Sequence, residues 1–185
     1  MKELIGQDIF ELVGEADAIV IPTNCSIDED GNACMGGGIA GQAAHRWPAV
    51  KLIYGLLLRM VSHVPVILGW IDRHDGDLWS AADFLSDVED DDTALIAYPT
   101  MHSIMEPADL QLVKRSADLL VELADIHEWK QVAMGHNGCG IGGLSWEDQV
   151  KPYYQSVLDD RFLVCGYETK KTGELLMKVQ STEKW

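Results

Sequence analysis

The sequence has little positive charge. Lys and Arg number 14 against 30 for Asp and Glu, giving a formal net charge of −16. A field of that sign repels polyanions and anionic lipid surfaces, so a nucleic-acid or membrane surface is not an expected partner. It does not exclude a small phosphorylated ligand, because backbone N–H groups bind phosphate without any cation. Cysteine is sparse: Cys25, Cys34, Cys139 and Cys165 form no C-x-x-C pair and are too few for a disulfide scaffold. No apolar run approaches the ~20 residues of a membrane span. The first residues, Met1-Lys2-Glu3-Leu4-Ile5, lack the basic and apolar regions of a secretory signal. These absences lead to the expectation of a reduced, cytoplasmic protein.

What is present suits one folded domain. The chain has 185 residues, 47% of them hydrophobic, enough for a single core over 1–185. Short apolar runs read as strands: Asp17–Pro22, Val64–Trp70, Thr93–Tyr98, Gln131–Met134, Arg161–Cys165 and a last one within Glu174–Val179. Pro22 and Pro99 are expected to end the first and third. Near-continuous apolar runs belong to strands covered on both faces. Three helices are expected between them. One runs from Gly38 to about Lys51, with Pro48 ending or kinking it. A second runs from Pro107 to about His127, with Pro107 in its first turn. A third covers Trp146–Leu158, with Ser145 as N-cap and Asp148 completing a capping-box-like contact. Alternating strands and helices predict a three-layer α/β/α sandwich on a mostly parallel, mixed sheet of about six strands.

The stretch Asp72–Asp92 holds nine acids and one base. Asp75, Asp77 and the Asp90-Asp91-Asp92 run offer oxygens, but the spacing matches no calcium loop, and it reads as a solvated connection. Cys25, Cys34 and His45 are too irregularly spaced for zinc, so no metal and no cofactor are expected.

The chemistry concentrates in two glycine-rich loops, each following a strand and opening a helix. The first spans Asn24 to Ala40 and contains Met35-Gly36-Gly37-Gly38-Ile39. The second is Gly135-His136-Asn137-Gly138-Cys139-Gly140-Ile141-Gly142-Gly143-Leu144-Ser145-Trp146. Bare N–H groups at the positive end of a helix make an anion site, and two such loops would clasp one extended phosphorylated ligand. Neither is a Walker loop or a dinucleotide fingerprint.

These segments resemble the macrodomains, which bind ADP-ribose and its derivatives. Gly6-Gln7-Asp8-Ile9-Phe10 resembles the N-terminal G-D-I motif with one residue inserted. Asp17–Asn24 resembles the strand that ends in the family's site asparagine, and Met35–Ala40 the first ligand loop. Gly138–Trp146 is similar to the G-C-G-x-G-G-L-x-W loop of one branch, which includes ADP-ribose-1''-phosphate phosphatases, antitoxin macrodomains and phage versions. Tyr98–His102 and Glu106–Leu110 also resemble the phage-type members, for which the location would be the host cytoplasm.

The resemblance implies that Asp8 accepts from the adenine amino group, with Ile9 adding a backbone contact. It places Asn24 at the distal ribose and Gly36, Gly37, Gly38 and Ile39 along the distal ribose and diphosphate. Gly138, Cys139, Gly140, Ile141, Gly142 and Gly143 would wrap the diphosphate. Three positions depart from the pattern. Ile21 replaces the first asparagine of the usual strand end; Gly142 stands where protein-glutamate hydrolases carry aspartate; Gly37 stands where related antitoxins carry lysine.

Asn24, His136 and His45 are the expected catalytic residues, His136 ahead of His45 and His102 for its closeness to the second loop. Cys139, without a committed histidine partner, reads as a packing residue although a helix N-terminus lowers a thiol pKa. The implied activity is binding of ADP-ribose and hydrolysis of a derivative at its distal ribose, foremost ADP-ribose-1''-phosphate. Removal of ADP-ribose from a modified macromolecule and non-catalytic reading are the alternatives, with a nucleotide-handling α/β protein behind them.

Overall fold

The computed structural model describes residues 1–79 and 92–166. The strand expected within Glu174–Val179 and most of the acidic stretch lie outside them.

Seven described strands form one sheet in the order β1-β7-β6-β2-β5-β3-β4. They are β1 (Lys2–Ile5), β2 (Ala18–Asn24), β3 (Val66–Ile71), β4 (Leu78–Trp79), β5 (Thr93–Met101), β6 (Val132–Gly135) and β7 (Phe162–Gly166). The run from β1 through β5 is parallel; β3 and β4 close the far edge antiparallel. The apolar runs resolve into strict alternation between two cores. Ile19, Ile21, Leu95, Ala97 and Ala133 face one, and Val20, Ala94, Ile96, Val132 and Met134 face the other. Side chains point to opposite faces at period two, so a strand covered on both sides shows no polar alternation.

The first core is covered by a short 3-10 helix (Ile9–Leu12), α1 (Gly38–Arg46) and α2 (Ala49–Met60). The second is covered by α3 (Leu110–Ile126) and α4 (Lys151–Val157). A π-helical turn, Trp146–Val150, leads into α4, and Ser145 caps it. Asp148 N donates to Ser145 Oγ at 3.3 Å, the capping contact expected, and Ser145 Oγ donates to the Asp148 carboxylate at 2.6 Å.

Four expectations are corrected. The helix from Gly38 stops at Arg46, and Pro48 opens α2, which the sequence reading missed. A residue before proline is held out of the α region, and Trp47 is extended at φ −128°. Pro107 precedes α3; the cap is Asp109, whose carboxylate accepts from Gln111 N at 2.8 Å. Neither Pro22 nor Pro99 ends its strand. The β2–β6 ladder stops at Val20 and the β5–β3 ladder at Ala97, so each proline lies where its strand has only one neighbour left. Finally, the sheet gains β1 and β4, both too short or too exposed to carry an apolar signature.

Leu120 of α3 is fully buried in the second core. Leu120→Ala is predicted to lower unfolding stability by about 2–5 kcal/mol in urea titration. A loss under about 1 kcal/mol would contradict this packing.

Candidate functional site

The topology makes a crevice before any side chain is considered. From β2 the chain leaves toward β3 and β5; from β6 it leaves toward β7. Adjacent parallel strands whose connections part in opposite directions open a gap at their carboxyl ends, where ligands of open α/β sheets bind. Both glycine loops start at that gap, after Asn24 and after Gly135.

A cavity of about 590 Å³ occupies it. Its lining runs across the ends of four strands, from Cys165 of β7, past His136 after β6 and Asn24 of β2, to Met101 of β5. Three strand spacings make this ~14 Å. Glycines 36, 37, 38, 138, 140 and 142 line it, together with Ile39, Cys139 and Ile141.

Loop one is held by Asn24. Its Nδ2 donates to Cys34 O at 2.7 Å and its Oδ1 accepts from Ser26 N at 2.9 Å. The amide thus ties both ends of residues 24–34 while retaining one donor and one lone pair for a ligand. Ala33 N donates to Lys51 O at 2.8 Å, and a Cβ on Gly55 would collide with Gly31 O. The helix absent from the sequence reading is therefore the bed on which loop one lies.

Loop two packs on the segment before α3. Ala108 N donates to Gly142 O at 2.9 Å. A Cβ at Gly142 would stand 2.6 Å from both Ala108 Cβ and Gly138 O, so this position admits no side chain. At Gly37 the obstruction is the Ile141 Cδ1 methyl alone, 2.9 Å from an added Cβ. Ile141, otherwise 76% exposed, reaches across to loop one.

Asp8 caps the 3-10 helix: its Oδ1 accepts from Phe10 N at 3.0 Å, which leaves Oδ2 available. Asp8 and Ile9 are not in the cavity wall, but Asp8 acts electrostatically on Cys165, which is. Burial, with Asp8 second, raises the Cys165 thiol to about 11. Gly6 N donates to Gly166 O at 2.7 Å, which brings the segment that carries Asp8 to the carboxyl end of β7.

Of the expected catalytic residues, Asn24 and His136 line the cavity and His45 does not. His45 is exposed and lines, with Arg46, a neighbouring depression that shares Gly36, Gly37, Gly38 and Gln42 with the cavity. His136 is in the cavity wall, stacked on Trp146 at 3.8 Å and 11°, but its Nε2 is buried without a hydrogen-bond partner. A Cβ on Gly166 would lie 2.5 Å from that nitrogen, so Nε2 points at the β7 backbone. Burial holds its pKa below the usual histidine range; Glu3 and Glu147 oppose this and Lys151 assists. Cys139 is pushed up to about 12 by burial, which outweighs any helix-dipole effect and leaves a thiol rather than a thiolate. His102 lies outside the wall, 2.8 Å from Asp109. Among the described residues no cluster of three His, Cys, Asp or Glu is placed to hold a metal. Likewise no described helix is long and apolar enough to cross a membrane.

Thr100, Met101, Ile104, Leu144, Trp146 and Cys165 also line the cavity and were not expected there. Met101 and Cys165 lie at the carboxyl ends of their strands, a signal available once those strands are placed beside β2 and β6.

Two outcomes test this geometry. Gly142→Ala should lower Tm by about 3 °C or more, because backbone must move, while Gly37→Ala should stay within about 1 °C. Equal melting of the two would contradict the loop packing. The His136 shift also has a stability sign. The unfolded chain takes up its proton first as pH falls through ~6.5, so the folded state is fully favoured above that pH and loses ground below it. Urea midpoints should fall between pH 7 and 5, and fall less in His136→Phe; identical slopes would contradict the burial.

No protein-family model and no curated protein matches the chain. Solved structures do. The macrodomain of Mycobacterium tuberculosis DarG aligns at TM-score 0.63 and 22% identity, covering 88% of this chain and 97% of that one. Thermosipho africanus DarTG in complex with ADP-ribose aligns at TM-score 0.68 and 17% identity, covering 92% of this chain and 42% of that one. A mutant macrodomain from Oceanobacillus iheyensis aligns at TM-score 0.57 and 15% identity, covering 96% and 89%. At these identities the likeness is one of architecture: the chain has the macrodomain fold.

Proposed function

We propose that the chain binds ADP-ribose across the carboxyl ends of β7, β6 and β2 and hydrolyses a derivative at the distal ribose. Adenine lies at the β7 end, its amino group on Asp8 Oδ2; the distal ribose lies at Asn24; the two glycine loops hold the diphosphate between them. The observation that carries this reading is the shape of the donor set. A ~14 Å crevice is flanked by two glycine loops, with a free carboxylate oxygen toward its β7 side and a spare amide donor two strands along, on β2. An acidic chain binds a diphosphate in this way, with backbone N–H groups in place of cations. The aligned Thermosipho structure is a complex with ADP-ribose, which supports this choice of ligand.

The favoured substrate is ADP-ribose-1''-phosphate. A second reading, release of ADP-ribose from a modified macromolecule, draws support from Ile104 and Met105, 48% and 88% exposed beside the distal end, where an attached chain would rest. Gly142 bears on both. The aspartate of the protein-glutamate hydrolases has no room there, so that mechanism is not the one proposed.

Titration calorimetry with ADP-ribose, using AMP and NAD as controls, tests the binding. Selective micromolar or tighter binding is expected, and no heat would overturn the reading. Asp8→Asn keeps the helix cap but turns an N–H toward the adenine amino group. It should weaken binding by about 1–3 kcal/mol, roughly 5- to 150-fold in Kd. Phosphate release from ADP-ribose-1''-phosphate then separates the two substrates.

A further inference from the structure

The cavity's distal end has a chemical gap. Its wall there is Thr23, Asn24, Cys34, Thr100, Met101 and Ile104, which supplies no carboxylate and no imidazole. His136 stands toward the other end with Nε2 turned into the protein, and His45 is not in the cavity wall. Hydrolysis at the distal ribose requires a proton donor for the leaving oxygen.

His102 is not itself in the wall; it lies in the chain between Met101 and Ile104, two residues that are. Its Nε2 lies 2.8 Å from Asp109 Oδ2. The Asp109 carboxylate divides its oxygens, Oδ1 capping α3 through Gln111 N and Oδ2 holding the imidazole. That contact keeps the Asp109 carboxyl below the usual carboxylate range, so it is ionised at neutral pH. The other side of the ring is met by His63, with centroids 4.9 Å apart and planes tilted by 42°. His63 adopts φ +63°, a left-handed conformation costly for a side-chain-bearing residue, and its Nδ1 lies 2.8 Å from Ser62 Oγ. A capping contact alone needs only Asp109. Here an imidazole is oriented from two sides, with Nδ1 left over.

Resting on the ADP-ribose reading above, we propose that His102, oriented by Asp109 and His63, is the general acid for hydrolysis at the distal ribose. In the phosphatase reaction a water oxygen bonds to phosphorus as the bond from phosphorus to the ribose O1'' breaks. The protonated ring gives its Nδ1 proton to O1'', which leaves as the anomeric hydroxyl. The proton shed by the attacking water passes to solvent, and the ring is reprotonated from solvent for the next turnover. The geometry follows the general pattern of an imidazole whose far nitrogen is fixed by a carboxylate.

The test is a split between binding and turnover. His102→Gln should bind ADP-ribose within about twofold of the parent while phosphate release from ADP-ribose-1''-phosphate falls ~10²–10⁴-fold. Asp109→Asn, which still caps α3, should lose roughly tenfold or more in rate at unchanged affinity. Free imidazole should restore part of the rate to His102→Ala, which a purely structural residue would not allow. Parental turnover in His102→Gln, or a parent that binds ADP-ribose yet releases no phosphate, overturns the assignment of His102. A parent that does not bind ADP-ribose overturns the reading beneath it instead.

Discussion

The site depends on one early ending. The ladder between β2 and β6 stops at Val20 and Met134, while β2 continues beside β5 as far as Asn24. Beyond that point two adjacent strands part, their chains turn to opposite faces of the sheet, and the gap between them is the crevice. Each loop carries a helix onto its own face, α1 over the first core and α4 over the second. The cavity is thus a consequence of strand order, and the glycines are what allow a ligand to approach the backbone that lines it.

Much of this was legible. The five interior strand runs were found from continuous apolar sequence, because burial on both faces demands it. The two loops were found from glycines placed between strand and helix. What escaped depends on tertiary neighbours. Pro22 and Pro99 read as strand ends, yet a proline is harmless where one side of a strand has already lost its partner. Residues 49–60 were not read as a separate helix, because the helix expected from Gly38 was carried across Pro48 to about Lys51. The helix they form supports loop one through Gly55. The histidines were the least legible of all. Proximity in sequence to a loop ranked His136 first, but only the fold shows that its Nε2 turns toward Gly166 while His102 meets Asp109 at the opposite end.

Electrostatics explains the choice of groups. In a chain with 14 Lys and Arg against 30 Asp and Glu, few cations are on hand to hold a phosphate. Backbone N–H groups hold one without them and are fixed in place by the loops. The same burial that shapes the wall disables its thiols, since desolvation raises both Cys139 and Cys165.

The central claim is an orientation: one extended nucleotide diphosphate lying from Asp8 to Asn24 across the carboxyl ends of β7, β6 and β2. A crystal structure of the complex with ADP-ribose tests it most directly. The account predicts adenine against Asp8 and Cys165, the diphosphate under glycines 36–38 and 138–143, and the distal ribose at Asn24 opening toward His102. A ligand bound in the reverse direction, or outside the crevice between β2 and β6, would contradict it.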